Sequence, residues 1–142
     1  MILLDTNILS ALMQNQPDPV VVAWLDDQPA ESIWLSSITL FEARYGIGSL
    51  ADGQRKIRLQ QCLEQLLQQD LQNRVCPFDA QAAAHAAQLA ATRKARGRVV
   101  DMRDTFIAGI ALARRATLVT RNLRHFEDLG IRVISPDDRA IG

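Results

Sequence analysis

Short aliphatic runs alternate with stretches whose apolar positions recur every three or four residues, and this pattern predicts strands alternating with helices. The first run, Ile2-Leu3-Leu4, is too short for a helix and ends in an acid. A strand over residues 2–5 is expected, with Thr6 or Asn7 capping a short helix through Leu12-Met13. Pro17-Asp18-Pro19 breaks that helix. A second then starts with Pro19 in its first turn, where a missing N–H costs nothing, and carries Val22, Trp24 and Leu25. Residues 32–36 predict a short buried strand, and a helix holding Glu42 begins directly after it. Gly46, Gly48 and Gly53 predict a flexible break.

Between about residues 54 and 71, Leu59, Cys62, Leu63, Leu66 and Leu67 recur at helical spacing, while glutamines cover the other side. Residues 75–78 form a candidate strand, and Pro77, which lacks a ladder donor, assigns it to an edge or a strand end. Asp79 caps an alanine-rich helix running to about Arg96, where Gly97 stops it. The last third predicts a helix over 101–115, a strand over 117–120, a short helix over 122–129 and a final strand over 131–134. Such alternation implies an α/β fold, a mostly parallel central sheet with helices on both faces.

At 142 residues the chain is expected to form one domain, residues 1–142, and its 48% hydrophobic content excludes a disordered protein. The formal net charge is zero, so any nucleic-acid partner must be met by a local basic patch. Cys62 and Cys76 lack metal-ligand spacing and read as reduced, buried thiols. No basic, apolar leader and no run of ~18 apolar residues is present, so a soluble, cytoplasmic protein with no membrane partner is expected.

Three acids lie in apolar frames: Asp5 after the first strand, Glu42 in Ile38-Thr39-Leu40-Phe41-Glu42-Ala43, and Asp104 in Asp104-Thr105-Phe106-Ile107-Ala108. Each has a plain structural reading. Asp5 could be a turn residue, although Thr6 and Asn7 already offer a cap. Thr39 and Glu42 fit a capping box, although Ser36 or Ser37 could start the helix instead. Asp101 is better placed than Asp104 to cap its helix. Brought together, the three would suit a hard divalent cation, which takes oxygen ligands and keeps several waters. His125 could touch a phosphate or simply pack. Neither a nucleophile triad nor a Gly-rich phosphate loop is present.

With these residues in hand, the chain resembles the PIN-domain ribonucleases of the VapC toxin group, and closely its FitB-like members. The likeness rests on Leu3-Leu4-Asp5-Thr6-Asn7, on Ser37-Ile38-Thr39-Leu40-Phe41-Glu42 with Tyr45-Gly46, on Asp104-Thr105-Phe106-Ile107-Ala108, and on Leu118-Val119-Thr120-Arg121-Asn122. It implies a type II toxin, a Mg²⁺- or Mn²⁺-dependent endoribonuclease inhibited by a cognate VapB-like antitoxin, with transfer RNA as a reasonable target. Asp5, Glu42 and Asp104 match the family's acidic metal ligands. Asn122 falls where many relatives have aspartate, which puts a tightly held second metal in doubt.

Thr6 and Thr120 are then supporting hydroxyls near the ion, and Arg44, Arg103, Arg121 and Arg124 are candidate RNA contacts. The run Arg93-Lys94-Ala95-Arg96-Gly97-Arg98 reads either as a solvated helix end or as an RNA-binding lip. A homodimer, a higher toxin–antitoxin assembly and promoter DNA bound only through the antitoxin are also implied. Trp24, Trp34 and Phe41 are core residues or partner surface. The main rival reading is a PIN scaffold that binds RNA or protein and has lost efficient cleavage with the fourth acid. A haloacid dehalogenase-type phosphatase would want a second acid where Asn7 stands.

Overall fold

In the computed structural model, which describes residues 1–141 (of residues 139–141, the backbone alone), five short strands form one wholly parallel sheet. They are β1 (Ile2–Leu4), β2 (Ile33–Ser36), β3 (Val75–Cys76), β4 (Thr117–Val119) and β5 (Val133–Ile134), in the order β3-β2-β1-β4-β5. The helices are α1 (Thr6–Leu12), α2 (Pro19–Asp26), α3 (Ser37–Gly48), α4 (Gln54–Gln65), α5 (Ala80–Ala95) and α6 (Met102–Arg114). All five strands expected from the sequence are present, and β3 with its Pro77 lies at an edge.

Strand periodicity divides the core. Leu4, Leu35 and Val119 face a layer built from α1 to α4, whereas Leu3, Leu118 and Cys76 face α5 and α6. Both faces are covered, which explains why the strands read as unbroken aliphatic runs. β1 is central, and the chain leaves it towards β2 on one side but reaches β4 on the other. A crevice outside the carboxyl ends of β1 and β4 is the topological switch point of this sheet, where open α/β folds bind ligands.

Several expectations are corrected. Gly46 lies inside α3 and Gly48 is its last residue, so the break spans residues 49–53, and Gly53, at φ 154°, marks the turn into α4. The helix expected over 122–129 is a single 3-10 turn, Leu123–His125, followed by turns that bring Phe126 into the core. α4 does continue to residue 70, but its last turn, Leu66–Asp70, widens to a π-helix closed by Leu71 N–H on Leu66 O. Trp24 is buried and Trp34 packs against the α5–α6 core, while Phe41 is exposed and stacks on Tyr45. No helix among the described residues is long and apolar enough to cross a membrane.

Candidate active site

Asp5 is held by hydrogen bonds from every side of the switch point. It follows β1, and its Oδ1 accepts from Thr6 N–H at 2.8 Å, so Asp5 itself caps α1 in place of the expected Thr6 or Asn7. Its Oδ2 accepts from Thr120 Oγ1 at 2.7 Å, just past β4, and from Asn7 Nδ2 at 3.3 Å. The residue is 4% exposed and has no cationic partner among the described residues. Burial pushes its carboxyl above the usual range; the Thr120 and Thr6 hydrogen bonds hold it back, and the Asp104 and Glu42 charges push it further up.

Glu42 reaches this crevice from α3. Ser36 caps that helix by accepting from Thr39 N–H at 2.9 Å, which excludes the Thr39–Glu42 capping box and leaves Glu42 in the second turn. Glu42 Oε1 accepts from Thr6 Oγ1 at 2.9 Å, and its Oε2 lies 3.5 Å from Arg103. Asp104 stands in the first turn of α6, with Asp101 as the cap accepting from its N–H. His125 Nδ1 donates to Asp104 Oδ2 at 2.7 Å.

The three expected acids therefore border one crevice. They do not form a closed clasp: among the described residues, no three His, Cys, Asp or Glu side chains stand close enough to hold an ion directly. The donor set nevertheless suits a hard cation, since it is all carboxylate and hydroxyl oxygen and its central member is desolvated beside two like charges. Mg²⁺ keeps several waters and commonly takes only one or two carboxylates directly, so coordination partly through water fits this spacing.

The other expected residues are distributed as follows. Thr6 and Thr120 lie at the centre, each hydrogen-bonded to a candidate acid. Asn122 is exposed at the crevice mouth; its backbone N–H donates to Thr120 Oγ1 at 2.9 Å and its side chain makes no hydrogen bond among the described residues. Arg103 pairs with Glu42, Arg44 with Glu64, and Arg121 with both Asp18 and Asp137. Arg124 is exposed.

The basic run 93–98 divides: Arg93 is 4% exposed and grips Asp128 bidentately, Arg98 joins the same carboxylate, and Lys94 and Arg96 are exposed at the helix end. Sequence reasoning missed two groups. Asn7 ties Asp5 to Thr120 and accepts Arg121 N–H, and buried Thr39 shares the Ser36 hydroxyl beneath Glu42. Only the position of Asn7 two residues after Asp5, in a turn, hinted at this.

Comparisons with known proteins show which chains this one is similar to. The PIN domain family model matches residues 2–131. VapC ribonuclease Y4jK of Sinorhizobium fredii is 39% identical over 136 residues, covering 96% of this chain and 97% of the relative. The tRNA(fMet)-specific endonuclease VapC of Salmonella typhimurium is 32% identical, covering 92% of this chain and 94% of its own length. Among solved structures, FitAB bound to an IR36 DNA fragment superposes with a TM-score of 0.86 at 37% identity, covering 96% of this chain and 95% of that one.

Proposed function

Because the chain belongs to the PIN-domain family, we propose that it is the toxin of a type II toxin–antitoxin pair, a metal-dependent endoribonuclease inhibited by a cognate VapB-like antitoxin. The observation that carries this reading is Asp5: a buried carboxylate, without a cation of its own, whose charged neighbours at the switch point are two more carboxylates. Uncompensated negative charge of this kind is costly unless a cation joins it. Relatives named as ribonuclease and as tRNA(fMet)-specific endonuclease support RNA, and transfer RNA in particular, as substrate.

Asp5, Glu42 and Asp104 would hold Mg²⁺ or Mn²⁺, with the Asn122 carbonyl as a weaker fourth oxygen. When bound, such an ion activates water and stabilises the charge developing on the phosphate and the leaving oxygen. The chain's own part is to aim the oxygens. Thr120 and Asn7 fix Asp5 Oδ2, and Thr6 fixes Glu42 Oε1. Arg124 has no carboxylate partner among the described residues and can meet a backbone phosphate. Arg103, Arg44 and Arg121 must first exchange their present carboxylates for it. The protein acts in the cytoplasm as a homodimer, within a larger assembly with the antitoxin. The DNA in the FitAB structure supports DNA contact by such an assembly, and promoter contact would be made through the antitoxin.

The purified chain is expected to cleave a panel of transfer RNAs with Mn²⁺ and to stop on addition of EDTA. Asp5→Asn or Asp104→Asn should cost more than about a hundredfold in rate, beyond what loss of a supporting hydrogen bond removes. Full activity in either variant overturns the assignment. A weakly catalytic RNA-binding scaffold is favoured by the amide at Asn122, and RNA binding without turnover would establish it.

A further inference from the structure

The acidic crevice opens onto a second feature for which the family resemblance gave no role. A groove of about 370 Å³ runs between α1, α3 and α4, starting at Thr6 and Glu42 and floored by Met13, Ile47 and Leu59. Arg55 and Arg58 form its far wall. The same two arginines line an adjoining hollow of about 530 Å³ whose other walls include Asn15, Gln54 and Gln61. The two depressions form one path leading from a candidate ligand to an amide-rich surface.

The cations along this path differ from most of those that border the crevice. Most arginines near the crevice are already committed: Arg103 to Glu42, Arg44 to Glu64, Arg121 to Asp18 and Asp137. Arg55 is exposed with no carboxylate partner among the described residues, and Arg58 spends one N–H on Met13 O at 3.3 Å and meets no acid. In a chain of zero net charge, these are cations left over for a partner, beside a site that itself repels anions.

We propose that this groove carries a single-stranded segment of the RNA substrate away from the scissile phosphate, with Arg55 and Arg58 on consecutive backbone phosphates. The inference rests on the nuclease reading and extends it to the path of the substrate. The groove has the features such a path needs: cations to follow the backbone, an apolar floor for a base face, and amides for base edges. A paired, A-form stem is met mostly through its shape and backbone, whereas unstacked bases of a single strand can use an apolar face and amide donors as well.

The test uses the full chain carrying Asp5→Asn, so that bound RNA survives, and a fluorescent single-stranded oligonucleotide titrated by anisotropy at several salt concentrations. Arg55→Ala is expected to weaken binding about fivefold and to lower the slope of log K against log salt by about 0.7, the share of one phosphate contact on a single strand. Arg132→Ala, an exposed arginine at the opposite end of the sheet, removes equal charge and should change neither. Circular dichroism melts establish that both variants fold.

If Arg55→Ala and Arg132→Ala bind alike while the parent chain cleaves RNA with Mn²⁺, the groove assignment is overturned and the nuclease reading stands. If no variant binds RNA and the parent does not cleave it, both fall. If Arg55→Ala keeps its RNA affinity but loses capture of the antitoxin, the groove belongs to a protein segment instead.

Discussion

Asp5 has two duties that conflict energetically. Its carboxylate caps α1 and offers an oxygen to the crevice, yet burial and two neighbouring acids oppose its charge. A carboxyl held above its ordinary value of 3.8 binds its proton more tightly in the fold than in the unfolded chain. Stability therefore falls as pH rises from that value through the raised one, and the full cost is present above it. In EDTA, Asp5→Asn is expected to gain on the parent as pH rises towards 7, because the amide keeps an oxygen for Thr6 N–H without the charge, while the cost of setting its Nδ2 against the Thr120 and Asn7 donors is the same at every pH. The difference should stop changing below the ordinary carboxylate range, where Asp5 is neutral in both states. Adding Mn²⁺ should raise the parent alone, by mass action on the folded state. Differential scanning fluorimetry across pH reads all three. The acids were legible in sequence because a charge inside an aliphatic frame is rare. Asn7 and Thr39 were not, because their roles depend on Thr120 and Ser36, which a local pattern does not connect to them.

At the scale of elements, what positions Asp104 is the seating of α6 against α5. Gly109 makes that close approach: a Cβ there would lie 2.5 Å from Ala82 O and 2.7 Å from Ala86 Cβ. Neither contact is with a flexible side-chain tip, so the helices must move apart. Gly109→Ala is expected to cost about 1–3 kcal/mol, as overpacking of a tight core does, read as a lower urea midpoint with unchanged slope. The alanine-rich composition of α5 was plain in the sequence, but the close packing it allows depends on a glycine in another helix that carried no signal of its own. Where elements were misjudged, a tertiary contact decided. Residues 122–129 have helical composition, yet Phe126 is fully buried and Arg93 holds both the His125 carbonyl and Asp128, and together these favour turns over a helix. Gly46 and Gly48 stay helical because Ile47, between them, is anchored in the core.

For the molecule as a whole, the ion pair between Arg93 and Asp128 links the end of α5 to the segment that delivers His125 beside Asp104. The sequence shows a basic run there and hides its counterion 35 residues away, which is why the run suggested an RNA contact. Arg93 is almost fully enclosed, so truncating it strands Asp128 with only Arg98, at 2.8 Å, to offset its burial. Breaking a buried pair from one side is costly, and Arg93→Ala is expected to lose about 3 kcal/mol at pH 7. The pH dependence has the opposite sign to that of Asp5. The Arg93 hydrogen bonds hold the Asp128 carboxyl below its ordinary 3.8, so their stabilisation is complete above that value and is lost as pH falls through the lowered one. The gap between parent and variant should therefore be constant from pH 7 down to about the ordinary carboxylate value and shrink in stronger acid. Guanidinium unfolding at a series of pH values would measure it. A gap that did not narrow in acid would mean that Arg93 stabilises through its packed stem alone, and that the charge link to the crevice contributes nothing.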